Sequence, residues 1–358
     1  MHIFGSNTPR SGGTLISNLL SMHPDVLITK DLFHFFRHIY KKYDPLNSKN
    51  LTLLVHELVI RIKYRNDIVL DPKKILEFLP YNKEVYHYSD VVKMFYNYVG
   101  FINNKKIIGE IANFEWFNIK NFLDLDETFK AFQVIRDPRA IIASFKNITY
   151  EKNHNYLAMI FHWLDAVHYS DKLSDNKNYF VTQFEEIHQN PELVGKSIFN
   201  FLNLDFDKSI LDNSEWEKRL KTKFNYINTS GHDNKKKYGF DPERSHAWKN
   251  KLEKWEVALI TFLLEDYLRK YNYEVLDYKK EDVEDGIKVL KNNELLKKMY
   301  NNFLDKGVGT HHRERDPSNA KNWSAKDFSK NVKAKFIDTD DYKLYTSEIK
   351  KIRETYGS

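Results

Sequence analysis

The chain has 358 residues, 41% hydrophobic and 15% aromatic, enough apolar material for one large core or two modest ones. Its 56 basic and 50 acidic residues leave a net charge of +6, small for a dedicated nucleic-acid binder and suited to a smaller anionic ligand. The absence of cysteine excludes disulfides, thiolate zinc sites and cysteine nucleophiles, and no apolar run reaches the ~20 residues that span a bilayer.

The opening MHIFG enters an apolar strand pattern at once, so no signal peptide or upstream anchor is expected and a cytoplasmic location is the default. Short apolar runs then alternate with helical periodicity. Strands are expected at 2–5, 26–29, 106–109, 131–135 and 179–183. Helices are expected at 13–22, 32–40, 89–101, 139–148, 155–171 and 191–202, with a long one over about 245–271. This alternation predicts an α/β fold: a central parallel sheet of about five strands between helical layers. A helical, aromatic- and lysine-rich insertion at 41–88 is a candidate lid over an acceptor. Beyond Tyr278 a charged, mostly helical extension is expected, so the division is 1–278 and 279–358. No internal repeat or low-complexity tract is evident.

Two segments carry chemistry. In SNTPRSGGTLISNLL, Ser6 to Leu20, a strand gives way to a turn fixed by Pro9, two glycines and a helix start. Such a turn aims several N–H groups and the positive end of a helix dipole at one spot, an anion site to which Thr14 adds a hydroxyl and Arg10 a charge. The Walker lysine is missing, because Gly13 occupies its slot before Thr14. An ordinary glycine-containing turn is the plain alternative. In FQVIRDPRAIIASFKN, Phe132 to Asn147, a buried strand ends in Arg136 and a helix follows. Open α/β sheets bind ligands at such strand ends. Ser144 lies a little over two helical turns after Arg136. Asp137 suits the helix cap and Pro138 its first turn, which leaves Arg136 and Ser144 as ligand contacts.

TPRSGGTL followed about 120 residues later by VIRDPRAIIAS resembles the sulfotransferase family, in its bacterial and carbohydrate-type branch. SMHPDVLIT, YFVTQFEEIHQNPE and SHAWKNKLEKWEVALI resemble further segments of that branch, in the same order, over roughly residues 1–275. The resemblance implies a P-loop-like three-layer fold and the donor 3′-phosphoadenosine 5′-phosphosulfate (PAPS), with the product PAP. It implies that Arg10, Ser11, Gly12, Gly13 and Thr14 hold the 5′-phosphosulfate, that Arg136 and Ser144 hold the 3′-phosphate, and that Trp248 and Lys249 pack over the cofactor. Two departures stand out: Gly13 where the family usually has Thr, and Ile111 where the branch often has Lys.

The transfer needs in-line geometry, charge at the leaving oxygen and a base for the acceptor. Where the branch places a glutamate after the second strand, this chain has Asp31, the expected base; a helix cap is its plain alternative. Glu110 and His34 are the other candidates, and Arg10 or Lys30 is expected to supply the cation. No metal is expected, since His311 and His312 fall in a polar stretch. The acceptor is expected to be a small-molecule or glycan hydroxyl, with no nucleic-acid partner; basic runs such as KNVKAK read as solvated helix faces. The oligomeric state stays open, a homodimer included. The alternatives are a P-loop small-molecule kinase and a non-catalytic PAP-binding protein of the same fold.

Overall fold

The computed structural model describes residues 1–80, 83–146, 153–220, 224, 239–308 and 340–356. Strand β1 (His2–Asn7) runs into helix α1 (Gly13–Ser21) and on to β2 (Val26–Lys30). Before β3 (Ile107–Asn113) come α2 (Phe35–His38), α3 (Ser48–Asn66), α4 (Pro72–Leu76) and α5 (Tyr88–Asn103). Helix α6 (Ile119–Leu123) leads to β4 (Lys130–Ile135), and α7 (Pro138–Lys146) and α8 (Ala158–Asp171) lead to β5 (Tyr179–Gln183). The chain continues through α9 (Phe184–Gln189), α10 (Pro191–Phe201) and α11 (Asn213–Leu220). It ends in α12 (Lys254–Lys270), α13 (Lys280–Asn292), α14 (Glu294–Lys306) and α15 (Asp340–Tyr356).

All five strands are parallel, in the order β2-β3-β1-β4-β5. Alternate residues face opposite layers, as the twofold period of a strand requires. Ile3, Val26, Ile28, Phe132 and Val134 join α1, α9, α10 and α11 in one core. Phe4, Leu27, Ile108 and Ala131 join α3, α5 and α6 in the other. The central strand β1 has neighbours reached by opposite crossovers, so the carboxyl ends of β1, β3 and β4 open onto the crevice where such sheets bind ligands.

The insertion is built into the second of these cores: Leu51, Leu54, Val55, Leu58 and Ile62 of α3 pack with Phe33 and Phe36. Beyond residue 278, Leu290, Leu296, Met299 and Tyr300 of α13 and α14 share a core with Phe161 and Leu259 of α8 and α12.

Strand β1 runs on to Asn7 and α8 starts after a 3-10 turn at 155–157; three expected elements differ more. Strand β3 continues past 109 to Asn113, paired with β1 along its length. The helix expected at 32–40 shrinks to α2, because Asp31 and His34 take left-handed backbone at φ 50° and 46°, a conformation that interrupts a right-handed helix. The helix expected from 245 begins only at Lys254, where Glu253 and Glu256 form a capping box; two 3-10 turns, Pro242–Ser245 and Ala247–Asn250, precede it. Residues 147–148 of the expected helix, His311, His312 and KNVKAK lie outside the described residues. No helix among the described residues is long and apolar enough to cross a membrane.

Candidate active site

The turn after β1 is closed by the Ser11 amide on the Thr8 carbonyl at 3.2 Å and a 2.5 Å contact between the Thr8 and Ser11 hydroxyls. Arg10 sits in it at φ 71° and Gly12 at φ 98°. Gly12 heads α1 without a side-chain cap on the first-turn amides, so the helix start keeps donors for an anion. A side chain at residue 12 would need strained backbone and would run into the ring of Phe184.

Arg10 joins the two sequence segments. Its Nε donates to Ser144 Oγ at 2.9 Å, and its carbonyl accepts from Arg136 Nη1 at 2.7 Å. Arg136 also donates to the Arg244 carbonyl at 3.0 Å and lies over the ring of Phe184, 4.0 Å from its centroid. Its own carbonyl accepts from Trp163 Nε1 at 2.8 Å. Burial, opposed by Glu185, brings the Arg136 pKa down to about 10, and burial with the nearby Arg244 lowers that of Arg10. The buried Arg136 Nε has no hydrogen-bond partner among the described residues. Two cations with depressed pKa values and an unmatched donor fit a site for an anion carrying more than one charge.

The adjoining residues fall into place around them. Asp137 caps α7, accepting from the Arg139 amide at 2.9 Å and from its buried guanidinium at 2.7 Å. The Arg139 guanidinium in turn lies over Trp248, 4.1 Å from its centroid, and Trp248 packs on Ala140 and Ala143 of α7. Lys249 points outward to Glu274 at 2.6 Å. Trp248 thus backs the arginine helix, while Lys249 makes a surface ion pair.

Beside this crevice lie the base candidates. Asp31 Oδ1 and Oδ2 accept from the backbone amide and side-chain Nδ2 of Asn113, each at 3.3 Å, and His34 Nε2 lies 3.4 Å from Oδ1. The Asp31 side chain is 29% exposed. His34, Glu110 and Glu115 are buried beneath it. His34 Nδ1 contacts Glu115 Oε1 at 2.8 Å. Glu110 Oε1 accepts from the amides of Phe33 at 2.6 Å and His34 at 2.9 Å, so its carboxyl holds backbone. Burial, then the charge of Glu115, pushes Glu110 up to about 8, and burial also raises Glu115.

The two departures from the family pattern lie against each other, with Asn7 beside them. A Cβ at residue 13 would lie 2.9 Å from Asn7 Nδ2 and 3.0 Å from Ile111 Cδ1, so Ile111 fills the space that Gly13 leaves. Ile111 is paired in register with Lys30 on β2, which places their side chains on one face of the sheet. Lys30 Nζ reaches the loop, donating to Thr14 Oγ1 at 2.8 Å. Burial lowers its pKa, with Asp31 raising it and Arg10 lowering it further.

Residues 3–208, more than half of the chain, match the sulfotransferase family. The chain belongs to that family. As a sulfotransferase it is an enzyme, which sets aside the kinase alternative. Its fold is similar to the sulfotransferase domain from the curacin biosynthetic pathway, with 16% identity, a TM-score of 0.51, and coverage of 76% of this chain and 98% of that one. It is also similar to the sulfotransferase domain of the Synechococcus PCC 7002 olefin synthase, with 21% identity, a TM-score of 0.50, and coverage of 76% and 95%. A mouse sulfotransferase complexed with PAP matches at 12% identity and a TM-score of 0.41, over 75% of this chain and 84% of that one. No curated protein matches the chain by sequence.

Sequence reasoning missed Arg244, Glu115 and the wedge formed by Phe184. Arg244 and Glu115 act through a carbonyl and a buried pairing that no local spacing announces. Phe184 lies in a segment whose resemblance was visible, but its packing on Gly12 and Arg136 was not.

Two measurements check this account. Gly13→Thr should cost ~1–3 kcal/mol through overpacking, and adding Ile111→Ala should recover part of that loss. A denaturant double-mutant cycle is then expected to show coupling of about 1 kcal/mol or more, and simple additivity contradicts the fit. Glu110 contributes stability that is fully present below its usual value of 4.5 and is lost as pH rises through about 8. Glu110→Gln should flatten the decline in unfolding free energy across that window; an unaltered slope contradicts the assignment.

Proposed function

We propose that this sulfotransferase takes PAPS as donor and moves its sulfuryl group to a hydroxyl of a small-molecule or glycan acceptor, with Asp31 as general base. The observation that carries the reading is Arg10, whose side chain meets Ser144 and whose carbonyl meets Arg136. The loop at the head of α1 and the end of β4 therefore form two lobes of one cationic site, as a donor with separate 5′ and 3′ anionic groups requires.

When bound, the donor supplies a sulfuryl group on an anhydride oxygen. The 5′ lobe consists of the amides of Ser11, Gly12, Gly13 and Thr14, with Arg10 and Lys30 as cations for the charge that grows on the leaving oxygen. Lys30 is one residue from Asp31 and touches Thr14, so it stands between base and loop. The 3′ lobe is Arg136, with its unmatched Nε, and Ser144. Among the carboxylates here, Asp31 is the one with solvent access; Glu110 and Glu115 are buried. Its two hydrogen bonds from Asn113 orient the carboxylate to take a proton from a hydroxyl in the crevice.

The donor assignment is tested by calorimetry with PAP in magnesium-free buffer. Wild type should bind, and Arg136→Ala should lose about tenfold or more, as removal of a charge-assisted contact does; equal affinity removes Arg136 from the site. With labelled PAPS and an acceptor found by screening hydroxyl compounds for sulfate addition, Asp31→Asn should lose on the order of a hundredfold or more in kcat. Its PAP affinity should stay near wild type. A fully active variant shows that Asp31 is not the base.

A further inference from the structure

The base candidate stands on a turn that is costly to hold. Asp31 and His34, neither of them glycine, both occupy left-handed backbone, at roughly 1 kcal/mol each, and such conformations persist only where the surroundings over-determine them. From one side Glu110 takes the amides of Phe33 and His34. From the other, Arg61 of α3 donates through Nη1 to the carbonyls of Leu32 at 3.2 Å and Phe33 at 2.9 Å. Arg61 is buried, and its charge also steadies the carboxylate of Glu115 behind His34.

Helix α3 is itself held from behind. One turn before Arg61, the buried Glu57 accepts from Lys42 at 2.6 Å, from the Tyr43 hydroxyl, and from Arg353 of α15 at 3.1 and 3.2 Å. Ile60 and Tyr64 of α3 form an apolar seam with Tyr345 and Ile349 of α15, which Ile352 joins at its edge. Glu348 accepts from Lys63 at 2.8 Å and Tyr64 at 2.5 Å, and the His56 ring stacks on Tyr356 at 4.9 Å. One helix therefore carries the docked end of the chain on one side and the grip on the turn on the other.

We propose that Arg61 is a positioning residue for the Asp31 turn, and that α15, clamped on α3, keeps Arg61 in place. The catalytic consequence rests on the reading of Asp31 as base; the structural one does not. Arg61 bonds the backbone of the turn at Leu32 and Phe33, so its loss should act on the base rather than on donor affinity.

The test uses the full chain with Arg61→Met, a near-isostere lacking donors, and Arg61→Lys, which restores one charged donor. Hydrogen exchange read by mass spectrometry over residues 30–36 is expected to speed up about tenfold in Arg61→Met and less in Arg61→Lys, with α1 and β4 unchanged. PAP affinity should stay within about twofold, while kcat falls about tenfold or more and the KM for PAPS holds. Ile349→Asp, which drives α15 from the seam, should speed exchange in the same turn. Unchanged exchange over 30–36 in Arg61→Met overturns the proposal, as does a loss of PAP affinity in step with kcat. Unchanged exchange in Ile349→Asp overturns the part given to α15. Should Asp31→Asn prove fully active, the base assignment fails while the exchange readout still decides the role of Arg61.

Discussion

The arrangement depends on the backbone of Arg10. Its left-handed conformation turns the carbonyl toward Arg136 and the side chain toward Ser144. One residue thereby ties the end of β1 to the end of β4 and to α7, elements more than 120 residues apart in the chain. The separation of the β1 and β4 loops is set by that tie and by Phe184, which supports Arg136 while packing against Gly12. Two arginines with a third nearby repel one another, and carbonyl oxygens are weak compensation for buried cations. On the proposed reading the site is built for charge that a ligand brings, to arginines already held in place.

The same economy appears across the crevice. Arg10, Asp31, His34 and Phe114 are non-glycine residues at positive φ, and all follow closely on the carboxyl ends of β1, β2 and β3. Strain gathers there because three chains must leave a parallel sheet and immediately present side chains sideways. The Phe114 amide is tied to the Asn7 carbonyl at 3.2 Å, and Asn113 spends both its amides on Asp31. The geometry around Asp31 is therefore a property of three strand ends together.

Much of this was legible from residue pattern. Parallel strands buried on both faces read as short apolar runs, and β5 fell where its run lies. The order of the anion-binding segments pointed to the family because glycine, arginine and serine at those places answer a geometric demand. What escaped was decided by tertiary contacts. Residues 32–40 have helical periodicity, yet Glu110 and Arg61 hold the chain in a turn there. Helix α12 starts at Lys254 because Glu256 folds back to the Glu253 amide at 2.7 Å, a cap hidden within a longer amphipathic run. Glu115 and Arg244 matter through partners from distant segments, which one sequence cannot reveal.

The pairing of Lys30 with Ile111 has a wider consequence. Reading down the chain, the family's lysine on the third strand is missing. Reading across the sheet, Lys30 stands beside that position, one interstrand spacing of roughly 4.8 Å away, and reaches the Thr14 hydroxyl. Parallel register makes neighbouring strands interchangeable suppliers of a charge. An inventory of family motifs built on linear position would find no lysine at 111, whereas one built on rows of the sheet would find a lysine in the same row.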